Sequence, residues 1–349
     1  MAQQPVRLAV VGAGSFTRRF HLPNFLKIPG VEIVAVCNRS EASGQAVARE
    51  FNFSTVLTDW HEVVSLPQVD AVVIGTWPYM HAPVAVAAMR AGKHVFTEAH
   101  MADDLAGARA MYHTAQENPH LKTMLSNLRV PGDAMMRKLL AEGYVGRVYQ
   151  VLDYRFNGQY ADFSQPLHWR QSRKFSGINF QYLGVSAEIN RRWFGDHLRV
   201  FAQVKTFHPE RLDVDSYGQL PDTMNILAEL EDGTPIVYLH SGVTRLGGHP
   251  RLEIYGSGGT LVHYWPTRGQ GPVGIFGARA GEQELQPIPI PPGTESRWAM
   301  NEDFISMIRD DRMPSPDLAT FFDGLKYTEF TTACFLSAER EAWVELPLP

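Results

Sequence analysis

The chain has 349 residues, of which 44% are hydrophobic and 20% are charged, and its formal net charge is −5. This composition is typical of a globular protein, and the absence of a basic balance argues against a nucleic-acid-binding protein. The length is too great for one compact core and favours two domains.

Neither a membrane span nor an extracellular framework is expected from the sequence. It has no apolar stretch of transmembrane length and no cationic-then-apolar leader at Met1–Arg7. The two cysteines, Cys37 and Cys334, are too few for a disulfide framework or for a zinc site of their own. We therefore expect a cytoplasmic protein with no bound metal and no membrane partner.

The first forty residues combine two β-branched runs with a glycine turn. Val6–Val11 leads into Gly12 and Gly14, an apolar helix-like segment follows, and Val31–Cys37 is the second β-branched run. A strand–helix–strand unit with this turn is typical of dinucleotide binding, because the helix N-terminus attracts the pyrophosphate. The position of the usual third glycine is Thr17. The loop residues assigned to the cofactor are Gly12, Gly14, Ser15, Phe16 and Thr17.

The end of the second strand indicates which dinucleotide binds. An acidic residue there would bind the ribose 2′-hydroxyl of NAD, but this chain has Asn38, Arg39 and Ser40. Arg39 can make charge-assisted hydrogen bonds to a 2′-phosphate, so we predict NADP(H) rather than NAD(H). The alternative is that Ser40 caps the next helix and Arg39 is solvated, and both interpretations can hold together.

Helices and strands alternate over the rest of the first third. The predicted elements are helices at Glu41–Phe51, Ala82–Ala91 and Asp103–Glu117, strands at Thr55–Leu57, Val69–Ile74, His94–Thr97 and Leu121–Leu125, and a helix start at Asp59. This alternation predicts a doubly wound parallel sheet, and we place the nucleotide-binding domain at residues 1–127.

The pattern changes to strands of period two after a helix near Gly132–Glu142. Strands are predicted at Arg147–Phe156, Arg199–Val204, Thr223–Glu231, Thr234–Thr244, Arg251–Gly256, Gly259–Tyr264 and Trp343–Leu346, with helices at Ala299–Asp310 and Ser315–Glu339. Residues 269–292 are rich in Gly and Pro and are predicted to be a surface loop. We predict an α/β protein, in which residues 128–349 form an α+β domain with an open, largely antiparallel sheet.

The sequence as a whole resembles the glucose–fructose oxidoreductase/inositol dehydrogenase (Gfo/Idh/MocA) family. The matching pieces are Gly12-x-Gly14 with His21-Leu-Pro23, Thr76 with His81, Ala91–Val95, Glu142–Gly146, Trp169-Arg170, Gly184-Val185 and Ser337–Glu339. The resemblance implies NAD(P)-dependent redox chemistry on sugars, polyols or related small molecules in a cleft between two domains. It also implies homodimers or homotetramers formed through the open sheet.

The chain departs from this family at the residues that transfer protons. Relatives usually carry Glu-Lys-Pro after the fifth strand, and this chain has Glu98, Ala99 and His100. The aspartate and histidine that relatives carry on a helix of the second domain are replaced by Tyr182 and Ser186. We therefore expect non-standard proton transfer.

Site roles follow from the resemblance and from these replacements. The candidate catalytic residues are Tyr182, His100 and His168; alternatively, Tyr182 is a packed aromatic, His100 satisfies a backbone carbonyl and His168 is a surface residue of a loop. Further cofactor contacts are predicted at Thr76, Trp77, His81, Glu98, Trp169 and Arg170. Substrate contacts are predicted at Arg129, Tyr160, Asn179 and Ser186.

Three functions compete at this point. The first is an NADP(H)-dependent oxidoreductase that acts on a small carbonyl, sugar-like or conjugated substrate, mainly as a reductase. The second is a non-catalytic dinucleotide-binding regulatory protein, which the three replacements would also explain. The third is an NAD-dependent retaining glycosidase, against which the missing lysine and histidine argue.

Overall fold

A computed structural model describes residues 5–126, 130–209, 215–265, 271–291, 299–315 and 318–349. The chain divides into two compact units, Met1–Asn127 with Trp298–Thr328, and Leu128–Arg297 with Glu329–Pro349. The domain boundary at residue 127 stays a prediction. Residues 298–328, which the sequence pattern assigns to the second domain, are grouped with the first unit.

The first unit contains a parallel sheet whose order within the described residues is β3-β2-β1-β4-β5-β6. Its strands are β1 (Val6–Val11), β2 (Val31–Cys37), β3 (Val56–Leu57), β4 (Ala71–Ile74), β5 (His94–Thr97) and β6 (Thr123–Leu125). Its helices are α1 (Leu22–Leu26, preceded by a π-helical turn at Thr17–His21), α2 (Glu41–Phe51), α3 (Trp60–Ser65), α4 (His81–Arg90, preceded by a 3-10 turn at Pro78–Met80) and α5 (Leu105–Glu117). The predicted doubly wound sheet is confirmed.

The core of the first unit includes a segment from near the C-terminal end of the chain. The Phe96 ring on β5 lies 5.6 Å from the Phe25 ring on α1 and 5.6 Å from the Phe304 ring, and all three are fully buried. Phe304 belongs to the helix Met300–Asp310. Burial of each such side chain contributes about 1.5–3 kcal/mol, which explains why this late segment joins the first sheet.

The second unit is built on a mixed sheet of order β14-β13-β12-β11-β7-β10-β9-β8-β15, in which the β7–β10 pair is parallel and the others are antiparallel. Its strands are β7 (Val148–Phe156), β8 (His197–Lys205), β9 (Thr223–Leu230), β10 (Pro235–Ser241), β11 (Arg251–Gly256), β12 (Gly259–Tyr264), β13 (Gly274–Arg279), β14 (Gln286–Ile288) and β15 (Val344–Glu345). The remaining helices of the chain are α6 (Asp133–Ala141), α7 (Arg173–Ser176, preceded by a 3-10 turn at Trp169–Gln171), α8 (Leu183–Phe194), α9 (Met300–Asp310) and α10 (Phe321–Arg340).

The surface loop predicted at 269–292 is wrong for the residues that the structure describes. Strands β13 and β14 form there and extend the sheet from β12 to its edge. Pro287 lies on β14, the edge strand of the sheet. A proline is tolerated there because an edge strand needs hydrogen bonds on one side only. Residues 269, 270 and 292 lie outside the described part of the chain.

Alternation along β7 gives the second sheet one buried face. Val151, Asp153 and Arg155 are buried, whereas the residues between them are partly exposed. The period of two in the sequence is therefore confirmed. Two of the three inward side chains are charged, which the hydrophobic pattern alone does not predict.

Candidate functional site

The loop after β1 requires glycine at its first position. Gly12 has φ +85°, and a Cβ there would lie 2.6 Å from the backbone N of Thr76. The Gly12 N–H donates to the Cys37 carbonyl at 2.8 Å, and the Gly14 N–H donates to the Gly12 carbonyl at 2.9 Å. The loop is thus closed against both neighbouring strands, which is the geometry that a pyrophosphate cradle needs.

Thr17 fits the third position because a neighbouring residue makes room for it. Its side chain is buried, and its hydroxyl donates to the Gly12 carbonyl at 3.3 Å. A Cβ on Gly75, at the end of β4, would lie 2.0 Å from the Thr17 Oγ1. Ser15 and Phe16 remain exposed at the start of the π-helical turn, so they lie at the surface of the predicted cradle.

The three residues after β2 have different roles. The Asn38 Oδ1 accepts a hydrogen bond from the Ala13 N–H at 2.8 Å, so this side chain supports the glycine loop. Ser40 is the N-cap of α2 and accepts from the Ser43 N–H at 3.4 Å, which confirms the capping interpretation. Arg39 is exposed, with its guanidinium 5.8 Å from the centre of the Trp77 ring.

Thr76 and His81 belong to the loop after β4 and the helix that follows it. The Thr76 hydroxyl is buried and has no hydrogen-bond partner among the described residues. The His81 ring is fully buried, with Nδ1 2.7 Å from the His100 carbonyl and Nε2 3.0 Å from the Thr76 carbonyl. Burial lowers the His81 pKa. These contacts correct the cofactor assignment of His81, because its nitrogens are used to join two loops.

The loop after β5 contains Glu98, whose carboxylate contacts the buried His21 imidazole. On its other side, the His21 Nδ1 lies 3.1 Å from the Asn301 Nδ2 on α9. The Ala99–His100 peptide bond is cis. The His100 ring lies edge-on to the Tyr327 ring, with 6.0 Å between ring centres. The backbone carbonyl of His100 is the one that lies 2.7 Å from the His81 Nδ1.

In the second unit, His168 and Arg170 lie close together. The His168 Nδ1 accepts a hydrogen bond from the Arg170 N–H at 3.2 Å and caps the 3-10 turn. The neutral ring therefore carries its proton on Nε2, and this tautomer has no basic lone pair there. The Arg170 guanidinium stacks over the Trp169 ring at 4.2 Å. Partial burial and the charge of Arg170 lower the His168 pKa.

Tyr160 lies beside His168, with 5.9 Å between ring centres, and is near enough to Tyr182 for the two phenols to interact electrostatically. Burial raises the pKa of Tyr160 to about 12, although the charge of Arg170 acts in the opposite direction. The Tyr160 phenol therefore stays protonated over the working pH range. Tyr182 is 53% exposed at the N-cap of α8, which contradicts the alternative of a packed aromatic.

The remaining substrate candidates are buried or lie outside the described residues. Asn179 is buried, and its amide donates to the Ser176 carbonyl at 2.8 Å. Ser186 is 1% exposed on α8, and its hydroxyl has no partner among the described residues. Neither side chain is accessible in this structure, and the substrate contacts of Asn179 and Ser186 stay predictions. Arg129 lies outside the described residues.

A buried polar network anchors α8 to the second sheet. Asp153 accepts from the Arg155 Nε at 2.9 Å and from the Asn190 Nδ2 on α8 at 3.0 Å. Burial raises the pKa of Asp153, but the charge of Arg155, the neighbouring His240 imidazole at 3.6 Å and the hydrogen bond from Asn190 outweigh it and bring the pKa to about 2. Because Tyr182 is at the N-cap position of the same helix, this network helps to hold the backbone that carries Tyr182.

Several of these residues were missed from the sequence. Asn301 is more than two hundred residues from His21 along the chain, and no local motif connects them. Gln181 has a left-handed φ of +45°, and its Oε1 accepts a hydrogen bond from the Asn157 Nδ2 at 3.2 Å, so that its amide lies beside Tyr160. A non-glycine residue at positive φ next to a helix start is a structural signal that the sequence does not display.

Among the described residues, no group of three or more His, Cys, Asp or Glu side chains is arranged to hold a metal ion. Within the same ranges, no helix is both long enough and apolar enough to cross a membrane.

Comparison with known proteins gives matches over both halves of the chain. Residues 6–125 match the oxidoreductase family with an NAD-binding Rossmann fold, and residues 134–262 match the GFO/IDH/MocA C-terminal domain. A 1,5-anhydro-D-fructose reductase from Ensifer adhaerens is 32% identical over 91% of this chain and 92% of its own. A levoglucosan dehydrogenase from Pseudarthrobacter phenanthrenivorans is 24% identical over 92% of this chain and 90% of its own.

Solved structures agree on the fold. A levoglucosan dehydrogenase in complex with NADH and levoglucosan superposes with a TM-score of 0.83 at 21% identity, over 99% of this chain and 100% of that one. The WlbA dehydrogenase from Bordetella pertussis, in complex with NADH and UDP-GlcNAcA, gives 0.81 at 19% identity over the same shares. The chain belongs to the Gfo/Idh/MocA family of oxidoreductases.

Proposed function

We propose that this protein is an NADP(H)-dependent oxidoreductase that acts, mainly as a reductase, on a small carbonyl, sugar-like or conjugated substrate. The observation that carries the proposal is the glycine cradle, in which a positive φ at Gly12 and close packing on Thr76 leave no room for a side chain. The orphaned Thr76 hydroxyl fits the same conclusion, since a buried polar atom needs a partner. A bound nicotinamide dinucleotide supplies hydride exchange.

The preference for NADP(H) rests on the charge at the end of β2. Asn38 is neutral and its Oδ1 is engaged by the loop, so no carboxylate there repels a 2′-phosphate. Arg39 is exposed and makes no ion pair among the described residues. The Arg39 guanidinium lies beside the Trp77 ring. In this arrangement the guanidinium can bind the 2′-phosphate while the Trp77 ring packs against the adenine.

The proposed substrate class rests on the relatives and on the polar groups of the second unit. The named relatives act on levoglucosan and on 1,5-anhydro-D-fructose, which are sugar derivatives. Tyr160, Gln181 and Asn157 form a neutral set of donors and acceptors around Gly242, and Arg170 adds a charged donor. Such groups suit hydroxyl and carbonyl oxygens.

The test is a cofactor titration followed by a substrate screen. NADPH and NADH fluorescence give the two dissociation constants, and we expect NADPH to bind at least tenfold more tightly. Hydride transfer is then measured with anhydro-sugars, sugar lactones, 2-keto sugars and enones. Tight NADPH binding with no turnover on any of them contradicts an oxidoreductase. That outcome favours the regulatory alternative, which the replacements at Ala99, Tyr182 and Ser186 also suit.

We further propose that a second copy of this chain covers the exposed face of the second sheet. Leu227 on β9 and Trp343 are 49% and 44% exposed, and with Val237 they line one groove on this face. The Arg199–Glu229 ion pair adds both signs of charge to the same face, as a self-complementary two-fold contact requires. Light scattering of Leu227→Arg should show a smaller species than the wild type; an unchanged mass contradicts this surface.

A further inference from the structure

A carboxylate and an imidazole form a close pair immediately before the position of the missing lysine. Glu98 precedes Ala99, and its carboxylate contacts the His21 Nε2. The His21 side chain is completely buried, whereas 17% of the Glu98 side chain is exposed. The imidazole therefore covers one side of the carboxylate and leaves part of it accessible from outside.

The far side of His21 determines which nitrogen carries the proton. Its Nδ1 lies 3.1 Å from the Asn301 Nδ2, an amide nitrogen that can only donate. His21 therefore accepts at Nδ1, carries its proton on Nε2, and donates that proton to Glu98. Residues from three separate places, the π-helical turn, the end of β5 and α9, thus form one chain of directed hydrogen bonds.

We propose that Glu98 transfers the proton in place of the missing lysine, and that His21 and Asn301 are positioning residues for its carboxylate. The assignment rests on the proposed oxidoreductase function. In the oxidation direction the substrate hydroxyl gives its proton to Glu98, while the carbon gives two electrons and its hydrogen, as hydride, to the oxidised nicotinamide. In the reduction direction Glu98 returns the proton to the oxygen.

Other candidates are less suited to this exchange in the structure. His168 uses its Nδ1 as a cap and is held in the tautomer that lacks a lone pair on Nε2. The Tyr160 phenol has a pKa of about 12, so it gives up its proton only at strongly alkaline pH. Tyr182 is half exposed and makes no capping hydrogen bond to α8. Glu98 alone among these candidates is oriented by a chain reaching two other elements.

His21 from the π-helical turn and His81 from α4 are titratable groups that face Glu98. His21 donates directly, and the charge of Glu98 acts on His81.

The first experiment compares Glu98→Gln with Glu117→Gln, an exposed glutamate at the end of α5. We expect Glu98→Gln to lower kcat about 10²–10⁴-fold in both reaction directions, as removal of a proton-transferring group does. The comparison is made at saturating NADPH, so that a change in cofactor affinity does not enter kcat, and Glu117→Gln should match the wild type. An active wild type with an equally active Glu98→Gln overturns the assignment, whereas an inactive wild type contradicts the proposed function.

The second experiment tests the positioning chain without turnover. Nitrogen-15 spectra of the cofactor-free protein should show that the His21 Nε2 carries a proton and that Nδ1 accepts a hydrogen bond. In Asn301→Asp the amide donor is replaced by a carboxylate acceptor, so the hydrogen bond at Nδ1 should reverse and Nδ1 should donate. A wild type in which Nδ1 already donates, or an unchanged Nδ1 signal in Asn301→Asp, overturns the positioning roles.

Discussion

The two units place their predicted site residues in different ways. In the first unit, residues 12–17, 38–40, 75–77 and 98–100 all follow the carboxyl ends of strands in one parallel sheet. In the second unit, the candidates are divided between an accessible group, with Tyr160, Arg170 and Tyr182, and a buried pair, Asn179 and Ser186. In a parallel sheet, the loops after the strands lie at one edge whatever side chains they carry. On a helix, the accessibility of a side chain depends on which face of the helix packs against the sheet.

The difference also appears in what holds each region in place. The glycine loop is held by backbone hydrogen bonds and by the absence of side chains at Gly12 and Gly75. The helix that carries Tyr182 is held through buried charges at Asp153 and Arg155. The glycine loop should therefore be destabilised by substitutions that add side-chain atoms. The helix that carries Tyr182 should be destabilised by substitutions that remove one of the buried charges.

The largest effect is expected from Asp153→Ala in the second unit. It leaves Arg155 as an uncompensated buried charge and Asn190 without its acceptor, so the free energy of unfolding should fall by about 3–5 kcal/mol. Urea denaturation measures this change. Glu231→Ala, which removes an exposed carboxylate from the turn between β9 and β10 of the same unit, is the control and should stay within about 0.5 kcal/mol.

Arg39→Gln tests the first unit through one cation. Loss of a charge-assisted contact to the 2′-phosphate should weaken NADPH binding by about 1.5–3 kcal/mol and leave NADH binding unchanged. Fluorescence titration with both dinucleotides measures the difference. An equal loss for both would show that Arg39 does not contact the 2′-phosphate.

Asp153 also makes the second unit sensitive to acid. The pKa of Asp153 is about 2 in the folded chain, whereas its ordinary value is 3.8. The ionised carboxylate therefore stabilises the folded chain at every pH above this ordinary pKa. That contribution, on the order of 2 kcal/mol, should be lost as pH falls from about 4 to 2. The free energy of unfolding, measured between pH 7 and pH 2, should decline less steeply in Asp153→Asn than in the wild type. Parallel curves for the two proteins would contradict this role of Asp153.

Gly12→Ala adds one methyl group where the first unit has no space. Positive φ and the approach to the Thr76 N should together lower stability by about 1–3 kcal/mol and reduce dinucleotide affinity. Gly92→Ala is the matched control, since Gly92 has φ +73° but no atom within 4 Å of the added carbon. It should lower stability through the backbone alone and leave dinucleotide binding intact.

The smallest effect is expected from Ser186→Ala. Its hydroxyl is buried without a partner among the described residues, so its removal should change stability by less than about 0.5 kcal/mol or increase it. Thermal unfolding measures this, and steady-state kinetics should show an unchanged KM. A raised KM would show that substrate reaches Ser186 in a conformation different from this one.

Much of the fold was predictable because the signals are local. The alternation of helices and strands, the period of two along β7 and the caps at Ser40 and Asp59 all act within a few residues, and the structure has each of them. Strands β13 and β14 were missed because Gly and Pro are also compatible with an edge strand, where few ladder bonds are required.

The sequence by itself determined the glycine loop after β1, since the requirement for glycine at Gly12 depends on local backbone geometry. Only the tertiary structure decided that His81 joins two loops, that Ser186 is inaccessible, and that Asn301 reaches His21 beside Glu98. The physical reason is distance along the chain. A turn or a cap is specified by neighbours, whereas a buried polar contact forms between residues that only the packed core brings together.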